Sequence, residues 1–398
     1  MQVMMIGRSM TNGARAGSGG ESSPGEVWGE LPRFRPHPWV RGGHAQTILG
    51  SYWPAPPLPA VHESISIRTA DGDRLHVHHD RPVGGHGTGR AALLLHGLGG
   101  CHRSRYVARL AARLATRGWD VYRMDMRGCG DGALTARGHT HAGRWTDLAE
   151  VIEGLEARDP SLPKLSLVGF SMGGNQLLKL LGCWSRTAER VERGIAIAPP
   201  LKLALCADQL DRGLNRIYDW SFVRNLKRMV QRRRNVPGFL ASDRWQLPDR
   251  LRRFDSQWTA PINGYRDVDD YYDRASAVHE LGRIPVPTLI VAADDDPIVP
   301  AATFDGLPAA RHVRVLLTDG GGHLGYVGAD ASQRHWLDHR LVEQLEAPLT
   351  ESRPVDVPHG ERTRTTSSAS ASLVAEGHAI DGLEAERHPF VGSRESLA

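Results

Sequence analysis

Between Ala91 and Leu317 short apolar runs alternate with segments of helical periodicity, and this rhythm restricts the fold more than any other feature of the chain. The runs are AALLL (91–95), DVYRM (120–124), KLSLV (164–168), GIAIA (194–198), PTLIVA (287–292) and HVRVLL (312–317). They lack strict in-out alternation, so they suit strands covered on both faces, as in a parallel sheet between layers of helices. The intervening RYVARLAARLATRG (105–118), WTDLAEVIEGLEAR (145–158) and MGGNQLLKLLG (172–182) place apolar residues at helical spacing. Right-handed strand-helix-strand units of this kind build an open α/β sheet whose ligand site lies at the carboxyl ends of the strands. Upstream, HESISIRT (62–69) and RLHVHHD (74–80) alternate around the turn residues Ala70-Asp71-Gly72-Asp73, which predicts a hairpin.

The rhythm breaks between 200 and 285, where Leu214, Ile217, Tyr218, Phe222, Leu226, Met229 and Val230 recur at near-helical spacing. A stretch of that length is too long for a plain loop, so it predicts a helical cap over the site. The expected organisation is a flexible segment over 1–30, core over 31–199, cap over 200–285, core again over 286–348, and a disordered tail over 349–398. The tail carries RTRTTSSASAS without hydrophobic periodicity. A formal net charge of +4 beside 45 acidic residues gives no basis for nucleic-acid binding. Four cysteines without a CxxC pair suggest reduced thiols. The amino-terminal apolar stretch is too short for a secretion signal, and no run approaches the ~20 apolar residues of a membrane span. A cytoplasmic protein is the expectation.

Chemistry concentrates at the ends of the apolar runs. Gly169-Phe170-Ser171-Met172-Gly173 lies between a strand and a helix, where a serine on a sharp turn is exposed above the sheet and the flanking glycines relieve the bend. His96-Gly97-Leu98-Gly99-Gly100 follows the strand AALLL, where the second half of an oxyanion hole belongs; the amides of Leu98 and Met172 are the candidates. A serine needs a base, and the order nucleophile, acid, histidine is completed by Asp294-Asp295-Asp296 and by His323 in Gly320-Gly321-Gly322-His323-Leu324-Gly325. One carboxylate must orient the imidazole. Asp296 is favoured by the Val-Pro that follows it, with Asp295 next and Asp294 last, their carboxylates being turn residues or solvent-facing. Tyr218 and Phe222, with Leu214 and Trp220, are candidates to line an acyl pocket, against the alternative that they form the cap's own core. His139-Thr140-His141 lacks the partners of a dinuclear metal hydrolase, so no metal is expected. The basic run Arg224, Lys227, Arg228, Arg232, Arg233 and Arg234 is read as a solvated helix face, the alternative being attraction to an anionic membrane surface or an acidic substrate.

With Gly43-His44-Ala45-Gln46-Thr47 and Arg127-Gly128-Cys129-Gly130 added to these motifs, residues 36–345 resemble the YheT-like esterases of the AB hydrolase-4 family, with Ala45 standing where that family usually has Leu. The resemblance implies an α/β-hydrolase fold with a mostly parallel sheet and a helical cap. It also implies hydrolysis of short- or medium-chain acyl esters or monoacylglycerols, with neither metal nor organic cofactor. Acyl transfer to another alcohol on the same triad, and a non-catalytic binding protein of the same fold, remain the alternatives. Oligomeric state is not legible.

Overall fold

The computed structural model describes residues 5–6, 28–29, 31–52, 63–239, 247–330 and 334–349. One sheet runs through them. Its strands are β1 (Met5–Ile6), β2 (Glu63–Arg68), β3 (Arg74–Asp80), β4 (Ala91–Leu95), β5 (Asp120–Asp125), β6 (Leu165–Phe170), β7 (Val191–Ile197), β8 (Thr288–Ala293) and β9 (Val313–Thr318). Their spatial order is β1-β9-β8-β7-β6-β4-β5-β3-β2. The six apolar runs form the parallel strands β4 to β9. The predicted hairpin is present as β2 and β3, paired antiparallel with Ile65 opposite Val77, and β3 pairs antiparallel with β5. This is the mostly parallel sheet expected from the apolar runs.

The absence of alternation in the runs is explained by cover on both faces. Leu93 and Leu95 of β4 join one apolar cluster with Leu165 and Leu167, against the helices Thr146–Arg158 and Met172–Cys183. Ala92 and Leu94 join the other with Val168 and Phe170, against the helices Arg105–Thr116 and Trp336–Glu346. Each such leucine, wholly removed from water, contributes about 1.5–3 kcal/mol.

Within the segment expected to be flexible, Met5–Ile6 pair in parallel with β9, and Trp28 is buried in the second cluster beneath the guanidinium of Arg193. The rest of 1–27, and the tail from 350, lie outside the described residues.

The expected cap segment is helical, with helices Leu203–Leu210, Arg216–Arg232 and Val268–Ala275 and a shorter helical stretch from Leu251 through Ile262. Leu226, Val230, Phe239, Phe254 and Trp258 form a small core of its own. The inward face of the Arg216–Arg232 helix is Asp219, Val223, Leu226 and Val230. Ile217 and Trp220 fall off that face and are exposed, as is Leu214 in the turn before the helix. The last part of the segment, Ala277–Arg283, packs on the helix that follows Ser171. There the Asn175 carboxamide accepts from Ala277 N at 3.0 Å and donates to Ala275 O at 2.8 Å.

Candidate active site

Ser171 lies between the end of β6 and the helix Met172–Cys183 with φ +52° and ψ −120°, a positive-φ conformation that costs a non-glycine residue about 1–3 kcal/mol. The surroundings hold it there. Its N–H donates to Ile197 O at 2.8 Å, tying the turn to β7. The turn closes so tightly that a Cβ on Gly169 would lie 2.5 Å from Gly173 O, and one on Gly173 would collide with His96 O. That contact explains why glycines flank the serine.

His323 enters from the loop after β9. Gly320, Gly321 and Gly322 all take positive φ, which turns the chain back over the sheet. The His323 ring lies with Nε2 3.0 Å from Ser171 Oγ and Nδ1 2.8 Å from Asp296 Oδ2. With Asp296 ionised, Nδ1–H donates to the carboxylate and Nε2 is left to accept from the serine hydroxyl. The other oxygen of Asp296 accepts from Ile298 N at 2.8 Å and Val299 N at 3.0 Å, so the buried carboxylate is oriented by its own following turn.

Two neighbouring carboxylates, expected to be turn or solvent-facing groups, stitch the histidine loop. Asp294 Oδ1 accepts from Gly320 N at 2.7 Å and Asp295 Oδ1 from Gly322 N at 2.8 Å. Burial pushes the Asp295 carboxyl up from its ordinary value, despite the hydrogen bond from Gly322 N.

The loop His96–Gly100 lies against the nucleophile. A Cβ on Gly97, the residue before Leu98, would sit 3.2 Å from Ser171 Cβ and 3.4 Å from Phe170 O. His96 pins this loop: its Nδ1 donates to Gly97 O at 2.7 Å and its Nε2 accepts from Met126 N at 3.0 Å. Burial lowers its pKa and favours this neutral form.

One contributor carried no role in the sequence reading. The helix Gly43–Tyr52 packs on the histidine loop, where Thr47 Oγ1 accepts from His323 N at 2.8 Å and donates to Gly43 O at 2.6 Å. Gln46 accepts from Val327 N at 2.7 Å and donates to Val40 O at 2.6 Å. Thr47 and His323 are 276 residues apart, and no local pattern announces such a contact.

The other candidates separate. Tyr218 Oη lies 3.0 Å from His44 Nδ1 with the rings stacked, so the cap helix touches the helix that supports His323. Phe222 is half-buried against the main core, whereas Leu214 is 69% and Trp220 58% exposed, the latter beneath Arg224 at 5.0 Å. Arg233 departs from the solvated face assigned to the basic run. It is buried, donates to Ala136 O at 2.6 Å, lies 4.2 Å over the Phe239 ring, and burial brings its pKa down to about 10. Arg127 forms buried ion pairs with Asp147 at 2.7 Å and Asp73 at 3.0 Å. Burial pushes the nearby Cys129 thiol up to about 12, leaving it unreactive as a thiolate. His139 is buried and held neutral, its pKa pushed down to about 3.

A family model described as the alpha/beta hydrolase family matches residues 92–335. The chain is 32% identical over 264 residues to "Putative esterase YheT" of Escherichia coli (strain K12), across 65% of this chain and 76% of that protein. It is 29% identical over 266 residues to "Monoacylglycerol lipase" of Saccharomyces cerevisiae, across 64% of this chain and 58% of that one. It is 27% identical over 339 residues to "Phospholipase ABHD3" of Bos taurus, across 79% of each chain.

Proposed function

The chain belongs to the alpha/beta hydrolase family, and on that footing we propose that it hydrolyses carboxylic esters through an acyl-enzyme on Ser171. The observation that carries this reading is the unbroken chain from Ser171 Oγ through both nitrogens of His323 to Asp296, at 3.0 and 2.8 Å. In this mechanism His323 Nε2 takes the serine proton as Oγ attacks the ester carbonyl, and the amides of Leu98 and Met172 hold the oxyanion. The alcohol leaves with that proton. Water, deprotonated by the same nitrogen, then releases the acid and restores the serine, while Asp296 maintains the tautomer and stabilises the imidazolium. The test is labelling by a fluorophosphonate probe together with turnover of a panel of acyl esters; absence of both would remove the proposal.

The substrate class in this reading is a short- or medium-chain acyl ester or a monoacylglycerol, with Phe222 and Tyr218 of the cap in contact with the acyl chain. Phe222→Ala is expected to lower kcat/KM for an octanoyl ester about five- to tenfold, the loss of roughly 1 kcal/mol of apolar contact, and to leave an acetyl ester almost unchanged. Equal losses for both esters would place Phe222 in the structural core instead. Tyr218→Ala is expected to reduce both, because it also removes the contact with His44.

Two helices that meet through His44 and Tyr218 expose apolar side chains. They are Ile48, Leu49 and Tyr52 on one, and Ile217 and Trp220 on the other, with Arg105 over Tyr52 and Arg224 over Trp220. Among the described residues no helix is long and apolar enough to cross a membrane. The pattern of apolar residues beside arginines supports peripheral contact with an anionic lipid surface. Co-sedimentation with vesicles containing phosphatidylglycerol is expected to exceed that with phosphatidylcholine alone, and Trp220→Ser to reduce it. No preference between the two vesicles would remove this part of the reading.

A further inference from the structure

We propose that His78, His102, Asp125 and Asp131 form a binding site for one divalent cation of the zinc class, and that the ion fastens the base of the His96–Gly100 loop. The four residues come from separate places in the chain. His78 lies on β3, Asp125 is the last residue of β5, His102 follows the glycine loop, and Asp131 follows Arg127-Gly128-Cys129-Gly130. One donor atom from each falls within 4.8 Å of all the others. His78 Nε2 and His102 Nδ1 lie 3.1 and 2.8 Å from the same oxygen of Asp125, and His78 Nε2 lies 3.7 Å from Asp131 Oδ2. A tetrahedral zinc ion with bonds of about 2.0–2.2 Å sets its ligand atoms roughly 3.3–3.6 Å apart, so small side-chain movements convert this cluster into a coordination shell.

The chemistry agrees with the spacing. Two neutral imidazoles and two carboxylates carry a net charge of −2, which a dication cancels, and nitrogen with carboxylate oxygen is a donor set suited to zinc. The side chains of His78, His102 and Asp125 are 3%, 2% and 1% exposed, whereas Asp131 at 43% opens the cluster to solvent and gives an ion its way in. Outer contacts already hold the central carboxylate: His102 N donates to Asp125 Oδ1 at 2.7 Å and Asp131 N to Oδ2 at 3.0 Å. Gly130 must remain a glycine, since a Cβ there would collide with the Asp125 carboxylate. Among the described residues the exposed Arg103 sets a cation against a ligand ring, its Nε donating to His102 Nε2 at 2.9 Å. When an ion takes Nδ1, the ring proton moves to Nε2 and Arg103 turns away into solvent.

The site is separate from the ester chemistry and needs no part in it. Its consequence is positional. His102 stands two residues beyond Gly100, and Arg123 donates to its carbonyl at 2.8 Å, so fixing His102 fixes the far end of the loop whose near end touches Ser171.

The experiment uses the full chain, stripped with a chelator and titrated with zinc chloride against a chromophoric competitor, beside the variants Asp131→Asn, His78→Gln and Ser171→Ala. One ion per chain is expected, with Kd below about 1 µM. Asp131→Asn is expected to weaken binding at least about tenfold and His78→Gln to abolish it. Ser171→Ala should bind like the unmodified chain, which separates this proposal from the ester-hydrolase reading. Zinc should also raise the Tm of the unmodified chain but not that of His78→Gln. Stoichiometry far below one ion per chain would overturn the proposal, as would equal affinity in the folded Asp131→Asn variant, whose exposed position keeps the test open if His78→Gln fails to fold.

Discussion

Replacing Ser171 by alanine is expected to abolish ester hydrolysis and fluorophosphonate labelling while leaving the thermal transition nearly where it was. The side chain contributes one oxygen at a turn already held by Ser171 N on Ile197 O, and alanine meets the same strain at φ +52°. Stability should therefore change little and chemistry greatly. In serine hydrolases loss of the nucleophile lowers kcat by about 10^6, and the residual rate comes from the oxyanion hole and binding alone. His323→Ala should be nearly as severe. The double variant should be no worse than either single one, because Ser171 and His323 act in one proton transfer at 3.0 Å. Turnover well above background in Ser171→Ala would remove the mechanism. Product analysis of the unmodified enzyme with a second alcohol present measures how much acyl group goes to an acceptor other than water.

The second large effect is expected at Asp296. Asp296→Asn keeps the size of the side chain and an oxygen to accept from Ile298 N and Val299 N, which leaves the amide nitrogen facing His323 Nδ1. The imidazole then turns its acceptor nitrogen to residue 296 and its N–H to Ser171, the wrong tautomer for a base, and kcat should fall about 10^4-fold. Asp294→Asn should be mild, since Asp294 only receives Gly320 N at the exposed edge of the loop. Asp295→Asn should fall between them, as it loosens Gly322 N one residue before His323. If Asp295→Asn proved the most damaging of the three, the assignment of the triad acid would move to it and the serine and histidine would keep their places.

Features governed by neighbours along the chain were legible in the sequence. The parallel strands follow from apolar runs that do not alternate, because both faces are covered. The turn at Ser171 follows from glycines at 169 and 173, because the bend leaves no room for a Cβ at either. The glycines before His323 mark a backbone at positive φ. Even the chain order of serine, aspartate and histidine could be read, because each leaves the end of its own strand.

What depends on contacts between distant segments was decided by the tertiary structure. Three adjacent aspartates are chemically alike and the following Val-Pro only ranks Asp296 first among them; the packing of β8 beside β9 brings Asp296 to the imidazole and sets Asp294 and Asp295 against backbone amides. Thr47 supports His323 across 276 residues, and Arg233 leaves a basic run to be buried over Phe239. The gathering of His78, His102, Asp125 and Asp131 belongs to the same group, since β3 brings His78 to β5 only through an antiparallel pairing that its own residues do not announce. Periodicity and turn chemistry act over a few bonds and leave a mark in the local sequence. Which side chains then meet is set by packing of the completed sheet and helices, where the partner of a residue is fixed by geometry rather than by its neighbours in the chain.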